Sequence, residues 1–168
     1  MMSKFLKLEE LYCGYDDVPI INGISLSVER GSVTALVGSN GAGKTTLMRT
    51  LSGLLPLTQG KIIFDNESIG NWAPNQRVDI GLSLVPEGRL IFPEFSVEEN
   101  LRIGAVTPRA KKKLRSRMEE MFELFPRLKE RREQSGGTLS GGEQQMLAIA
   151  RSLCQTLNYS CLMSPAFG

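Results

Sequence analysis

Gly38-Ser39-Asn40-Gly41-Ala42-Gly43-Lys44-Thr45 matches the pattern G-x-x-x-x-G-K-[ST] in full, with Thr46 beside it. Each position has a physical reason. The glycines let the backbone turn tightly and bring its amides to phosphate oxygens. A helix beginning there adds the positive end of its dipole. Lys44 offers a mobile cation to the outer phosphates, and the Thr45 hydroxyl suits Mg²⁺. The flanks agree with this reading. Val33-Thr34-Ala35-Leu36-Val37 is a short, nearly all-apolar run, predicted to be a strand inside a parallel sheet. Lys44 to Leu51 is predicted to be a helix, ended by Gly53 and Pro56. Strand, glycine-rich loop and helix in that order predict an α/β domain that holds a nucleotide by its phosphates.

Composition sets the outer bounds. The 168 residues amount to about one domain. With 41% apolar and 23% charged residues, the chain is no disordered tail, fibre or disulfide miniprotein. The net charge of +2 sets up no global field that would demand nucleic acid or an acidic partner. No apolar run is long enough to span a bilayer, and residues 1–10 lack the apolar core of a signal peptide. Cys13, Cys154 and Cys161 show no CxxC pairing and read as reduced thiols. There is no histidine.

Upstream of the glycine-rich loop, residues 4–37 read as short strands with turns. Ile24, Leu26 and Val28 alternate with polar residues, and Glu29-Arg30-Gly31 is a turn. Downstream, residues 61–64 and 82–85 are predicted strands. Ser96-Val97-Glu98-Glu99 is a capping box, and Thr107-Pro108 is a cap followed by proline at the first helical position. Leu114, Met118, Met121, Phe122 and Phe125 fall at helical spacing, predicting an amphipathic helix over 108–125 that ends at Pro126. Residues 96–138 thus form a helical insert. The basic run Arg109, Lys111, Lys112, Lys113, Arg115 and Arg117 reads as that helix's solvated face rather than a lipid or nucleic-acid surface. A last capping box, Ser140-Gly141-Gly142-Glu143, opens a helix through Cys154.

Leu139-Ser140-Gly141-Gly142-Glu143-Gln144-Gln145 resembles the signature of ATP-binding cassette (ABC) ATPases. The physics suits it, because Ser140 and the amides of Gly141 and Gly142 make a second anion-binding helix start. The resemblance implies an α/β P-loop NTPase (RecA-like) fold, in which a parallel sheet carries an N-terminal antiparallel β subdomain and a helical insert. It divides the chain into a P-loop core with β subdomain (1–95), the insert (96–138), a signature helix (139–154) and a tail (155–168). It implies that Gly38, Ser39, Asn40, Gly41, Ala42, Gly43, Lys44, Thr45 and Thr46 bind ATP. It also implies that Leu139, Ser140, Gly141, Gly142, Glu143 and Gln144 cap the phosphate bound by another subunit. Tyr15 stands where the family stacks an aromatic on adenine, although a core tyrosine fits the residue pattern equally. Glu87, in Val85-Pro86-Glu87-Gly88-Arg89, stands where most of the family has glutamine, in a loop that contacts Mg²⁺ and the membrane partner. Thr45 and Glu87 are therefore the metal candidates, and a plain surface loop is the other reading of Glu87.

The strings Val85–Arg89, Phe92-Pro93-Glu94, Val97–Leu101, Leu124–Leu128 and Gln144–Ile149 look like the ATP-binding subunits of branched-chain amino acid importers. A urea importer subunit is the nearest alternative. The implied cofactors are ATP and Mg²⁺. The implied partners are a second ABC ATPase subunit in a homo- or heterodimer, transmembrane permease subunits and, indirectly, a periplasmic or extracellular solute-binding protein, with no nucleic acid. The implied location is cytoplasmic, peripheral on the inner face of the plasma membrane. Rival classes are a non-transport ABC protein of DNA repair or translation and an inert gene product.

After Leu153 the likeness fades. The family continues with an apolar strand ending in Asp-Glu and a later histidine, whereas no acidic residue follows Glu143 here. The expectation is a fold incomplete at its C-terminus through frameshift, truncation or divergence, which binds ATP but hardly hydrolyses it. Codons for residues 155–167 read one frame over can spell a close copy of the family's strand.

Overall fold

Buried residues change phase midway along β1 (Lys4–Tyr15). Leu6 and Leu8 are buried at even positions, Leu11 and Cys13 at odd ones. A strand with a side-chain period of two can switch faces only by accommodating an extra residue. The register against β2 (Val18–Glu29) shifts between Leu8 and Leu11, and Glu10 takes a φ of +44°. On the other side, Gly60 adopts φ +94°, and a Cβ there would stand 2.2 Å from the Glu10 carbonyl oxygen. Only glycine fits against this bulge.

This is a computed structural model that describes residues 4–16, 18–85, 88–155 and 160–163. The chain forms two units, Met1–Arg77 and Val78–Gly168. In the first, β1 lies between β2 and β3 (Gln59–Phe64), and β4 (Glu67–Ser68) flanks β3. All neighbours run antiparallel, in the order β2-β1-β3-β4. β1 and β2 are 12 residues each, longer than the short strands expected, because the bulge lets one strand keep pairing past the phase change. α1 (Lys44–Leu51) packs on β1 and β2, and Leu47 and Leu51 join Leu8, Leu11, Ile21 and Ile62 in the core.

Val33–Val37 is not a strand. It makes no ladder among the described residues, and Val33 and Val37 are 101% and 91% exposed. An apolar run becomes a strand only when neighbours take up its backbone hydrogen bonds. Here the strands of this unit pair among themselves and leave that run unpaired.

Arg77, on α2 (Pro74–Asp79), is 2% exposed and holds the C-terminal end of α1. Its guanidinium donates to the carbonyls of Thr50 (2.7 Å), Leu51 (2.8 Å), Gly70 (2.8 Å) and Trp72 (3.0 Å). A cation at that end also meets the negative pole of the helix, while burial lowers its pKa.

In the second unit, β5 (Leu82–Val85) and β6 (Ser160–Met163) pair in parallel, Leu82 opposite Ser160 and Val85 opposite Met163. The tail expected over 155–168 thus includes a strand. α3 (Val97–Gly104), α4 (Pro108–Leu124), α5 (Pro126–Glu130), a 3₁₀ turn (Gly136–Thr138) and α6 (Gly141–Gln155) complete the unit. Their core gathers Val97, Leu101, Met118, Met121, Phe122, Leu128, Leu139, Leu147 and Leu153. The caps are those the sequence predicts, with Ser96 and Glu99 forming a reciprocal box and Thr107 accepting from the Ala110 amide at 3.1 Å. α6 runs one residue past Cys154. Gln155 is buried and bonds the Val106 amide (2.8 Å) and the Thr107 hydroxyl (3.2 Å). β5 packs on α6 and pairs with β6. Arg117 leaves the solvated basic face. It is buried at 8% exposure and bonds Glu120 at 2.6 Å, while the other five cations are exposed. Cys13 and Cys154 are buried thiols outside any disulfide, and burial pushes Cys154 up to about 12.

Replacing Arg77 by leucine leaves buried carbonyls without donors. Urea unfolding is expected to show a loss of about 3 kcal/mol, and a loss within 0.5 kcal/mol contradicts the clamp. A second expectation concerns acid. The Arg132 and Arg102 guanidiniums beside Glu98 hold its carboxyl down from 4.5 to about 2. A depressed folded pKa stabilises above the unfolded value and loses that contribution as pH falls through the folded one. Arg132→Ala should therefore lower stability at neutral pH, and its gap to wild type should close between pH 4.5 and about 2, as read by circular dichroism.

Candidate functional site

α1 begins without a side-chain cap. Its N-cap, Gly43, is left-handed at φ +84°, and the first intrahelical bond runs from the Leu47 amide to the Gly43 carbonyl at 2.9 Å. The amides of Lys44, Thr45 and Thr46 therefore precede the helical ladder and face outward from the helix start. Gly43 is required twice over, by its φ and because a Cβ would lie 2.6 Å from Ile21 Cδ1 and 3.3 Å from Ile20 Cγ2. β2 thus backs the loop directly. Gly41 is also left-handed, at φ +82°, with open space where its Cβ would be. The Ala42 amide closes a turn on the Ser39 carbonyl at 3.2 Å. Lys44 folds over the loop, and its Nζ donates to the carbonyls of Gly38 and Ser39 at 2.7 Å each.

The loop residues are not equivalent. Ser39 and Asn40 are exposed and Thr45 is half-buried, but the Thr46 side chain is buried at 6% exposure. A ligand at this helix start would meet Thr46 through its amide rather than its buried side chain. Tyr15 is 38% exposed, which excludes the core reading, and its hydroxyl accepts from Arg49 at 3.1 Å. It pairs with exposed Val18, so an apolar rim continues from Tyr15 along Val18 and Ile20 to the strand behind Gly43. Glu87 lies outside the described residues. Among the described residues no three acidic, cysteine or histidine side chains gather to hold a metal, so Thr45 is the metal candidate that the structure places. Uncapped amides, left-handed glycines and a lysine over the loop fit a triphosphate with Mg²⁺.

The second motif uses its helix start differently. At α6 the Ser140 amide donates to Glu143 Oε2 at 2.9 Å, and the Glu143 amide to Ser140 Oγ at 3.4 Å. This box satisfies the amides of Ser140 and Glu143 and leaves those of exposed Gly141 and Gly142. The Ser140 hydroxyl and amide hold the Glu143 carboxyl below its usual pKa, and Arg131 Nε lies 2.9 Å from Oε1. Buried Leu139 anchors the turn, and Gln144 Nε2 donates to its carbonyl at 3.2 Å. One residue was missed from sequence. Arg89 donates to Gln144 Oε1 at 3.1 Å, and its guanidinium lies 3.0 Å from where a Gly141 Cβ would be. The only advance signal was its place after Glu87 and Gly88. The cleft of about 430 Å³ lined by Ser96, Glu98, Glu99, Arg102, Arg132 and Glu133 shares no residue with either motif.

The sequence matches the ABC transporter family over residues 21–165. This chain belongs to that family. It is 38% identical over 163 residues to the high-affinity branched-chain amino acid transport ATP-binding protein BraG of Pseudomonas aeruginosa, covering 97% of this chain and 70% of the relative. It is 34% identical to the probable branched-chain amino acid transport ATP-binding protein LivF of Archaeoglobus fulgidus, covering 95% of this chain and 67% of the relative. A crystal structure of a nucleotide-free ATP-binding cassette from an ABC transporter superposes with a TM-score of 0.82 at 26% identity, over 99% of this chain and 70% of that one. The α/β fold with an antiparallel β subdomain and helices is thus the fold of ABC ATPase cassettes.

Gly43→Ala should test how the phosphate loop is built. The added methyl meets Ile21 and forces a left-handed alanine, so stability should fall by about 1–3 kcal/mol and ATP-analogue affinity at least tenfold. Unchanged affinity by fluorescence titration refutes the geometry.

Proposed function

We propose that this chain is the ATP-binding subunit of an importer for branched-chain or other hydrophobic amino acids. The observation that carries the nucleotide half of this reading is the uncapped start of α1, behind a left-handed Gly43 and beneath Lys44. The cargo half rests on the names of the two relatives.

In this reading the amides from Gly41 to Thr46 and the Lys44 ammonium hold the phosphates, Thr45 orients Mg²⁺, and exposed Tyr15 offers its ring to adenine. Lys44 exchanges the carbonyls of Gly38 and Ser39 for phosphate oxygens, trading neutral acceptors for charge-assisted ones. Ser140 with the Gly141 and Gly142 amides caps the outer phosphate on a second, identical or related, subunit. The pair works beneath transmembrane permease subunits at the cytoplasmic face of the membrane. A solute-binding protein on the far side selects the cargo, and nucleic acid plays no part. Among the described residues no helix is long and apolar enough to cross a membrane, so the membrane path belongs to the permease. ATP supplies the binding energy that closes the pair and, on hydrolysis, opens it. Hydrolysis needs a base to take a proton from water, worth about 10²–10⁴ in rate. The chain has no histidine and no carboxylate after Glu143, which is committed to its own helix cap. In this reading the chain binds ATP but hardly hydrolyses it.

Thermal unfolding with and without MgATP tests this reading. At a hundredfold excess over Kd the ligand contributes about 2.7 kcal/mol, a rise of a few degrees in Tm. Lys44→Ala should abolish the shift, and phosphate release should stay near the uncatalysed level. Absence of any shift at millimolar MgATP sinks the proposal, and brisk phosphate release sinks its hydrolytic half.

A further inference from the structure

The segment between β5 and α3 touches α6 twice, through two arginines that neither motif includes. Arg89 reaches Gln144 Oε1 at 3.1 Å and lies over Gly141. From the other side, Arg151 of α6 donates to the Leu90 carbonyl at 2.7 Å and stands 5.2 Å from the Phe92 ring centre. Gln144 and Arg151 are seven residues apart, so they share one face of the helix about 10 Å from each other. The segment is therefore fastened along two turns of α6, starting at the turn that carries the signature.

The fastened backbone is strained. Arg89 and Leu90 adopt φ of +68° and +43°, and the Leu90 amide folds back on the Gly88 carbonyl at 2.7 Å. Left-handed conformations are unfavourable for such side chains and persist where surroundings over-determine them. Asn100, fully buried, fixes the far end: its Nδ2 donates to the carbonyls of Phe92 (2.9 Å) and Phe95 (3.1 Å), and its Oδ1 accepts from the Phe92 amide (2.9 Å). Arg151 has no carboxylate in these contacts, and its Nη1 is buried without a hydrogen-bond partner. A guanidinium kept so under-satisfied is expensive for a purely structural strut.

We infer that Arg89 and Arg151 are positioning residues, which clamp the strained Gly88–Phe92 segment onto α6 and thereby set the first turn of the signature helix for its phosphate. A side chain at Gly141 would push the Arg89 guanidinium aside by a few tenths of an ångström. This inference rests on the reading that α6 meets ATP held by a second subunit.

The test is nucleotide-dependent self-association of the full chain, read by light scattering in MgATP, alongside ATP-analogue affinity and Tm. Arg89→Ala should weaken association at least tenfold while analogue affinity and Tm stay within twofold and 2 °C of wild type. Arg89→Lys, which keeps one donor for Gln144, should recover part of that loss, and Arg151→Met should resemble Arg89→Ala. A variant that associates like wild type overturns the clamp. So does one that loses association only in proportion to affinity or Tm, because a general structural defect does the same. Wild type that binds the analogue but never associates overturns the two-subunit reading and the clamp together.

Discussion

An α-helix begins with amides that its own ladder cannot satisfy, and both motifs here are solutions to that constraint. α1 has no side-chain cap, because its N-cap is a glycine with no side chain to offer. α6 closes two of its amides with Ser140 and Glu143 and keeps the two glycine amides between them. One start can wrap an anion from several sides, while the other presents a flat cap with a hydroxyl at its rim. In the proposed reading, the difference between holding a triphosphate and closing over its end follows from which side chains stand at the first four positions of each helix.

A helix start is useful only if the helix cannot slide. The chain meets this need with arginines that bond carbonyls instead of carboxylates. Arg77 grips the last two residues of α1, the end opposite the phosphate loop, and ties them to Gly70 and Trp72. Gly53, left-handed at φ +80°, gives that guanidinium room, since a Cβ there would lie 3.0 Å from Nε. Arg151 does comparable work for the segment against α6. Carbonyl acceptors are fixed by the backbone, so these bonds locate a guanidinium more rigidly than a mobile surface carboxylate could.

Local signals were legible in the sequence, and pairwise ones were not. The glycine pattern, the three caps and the face of α4 are written within a few residues of where they act, and the structure has them there. Val33–Val37 shows the limit. Its composition is that of a buried strand, but strand formation depends on partners elsewhere in the chain, and no residue within the run reports whether they are present. Tyr15 was open between a core and a surface reading because β1 changes phase before reaching it, and only the bulge at Glu10 and Gly60 decides which way the later residues face. Arg77 and Arg151 carried no signal, and Arg89 only its place after Glu87 and Gly88, since an arginine whose acceptor lies 27, 55 or 61 positions away looks like any surface arginine.

Electrostatics at the α6 start needs its own accounting, because an acidic residue in the first turn opposes a phosphate. Glu143 is held ionised by the Ser140 hydroxyl and amide, so its charge is present and not removed by protonation. Two features limit its repulsion. The carboxylate accepts from the Ser140 amide, and Arg131 stands within ion-pair distance of its other oxygen. What remains facing outward is the helix dipole, two glycine amides and the guanidinium of Arg89. Exposed ion pairs contribute little to stability, so the value of this arrangement lies in sign and direction: the negative charge of the cap is spent inward, and the positive end of the helix is left to meet an anion.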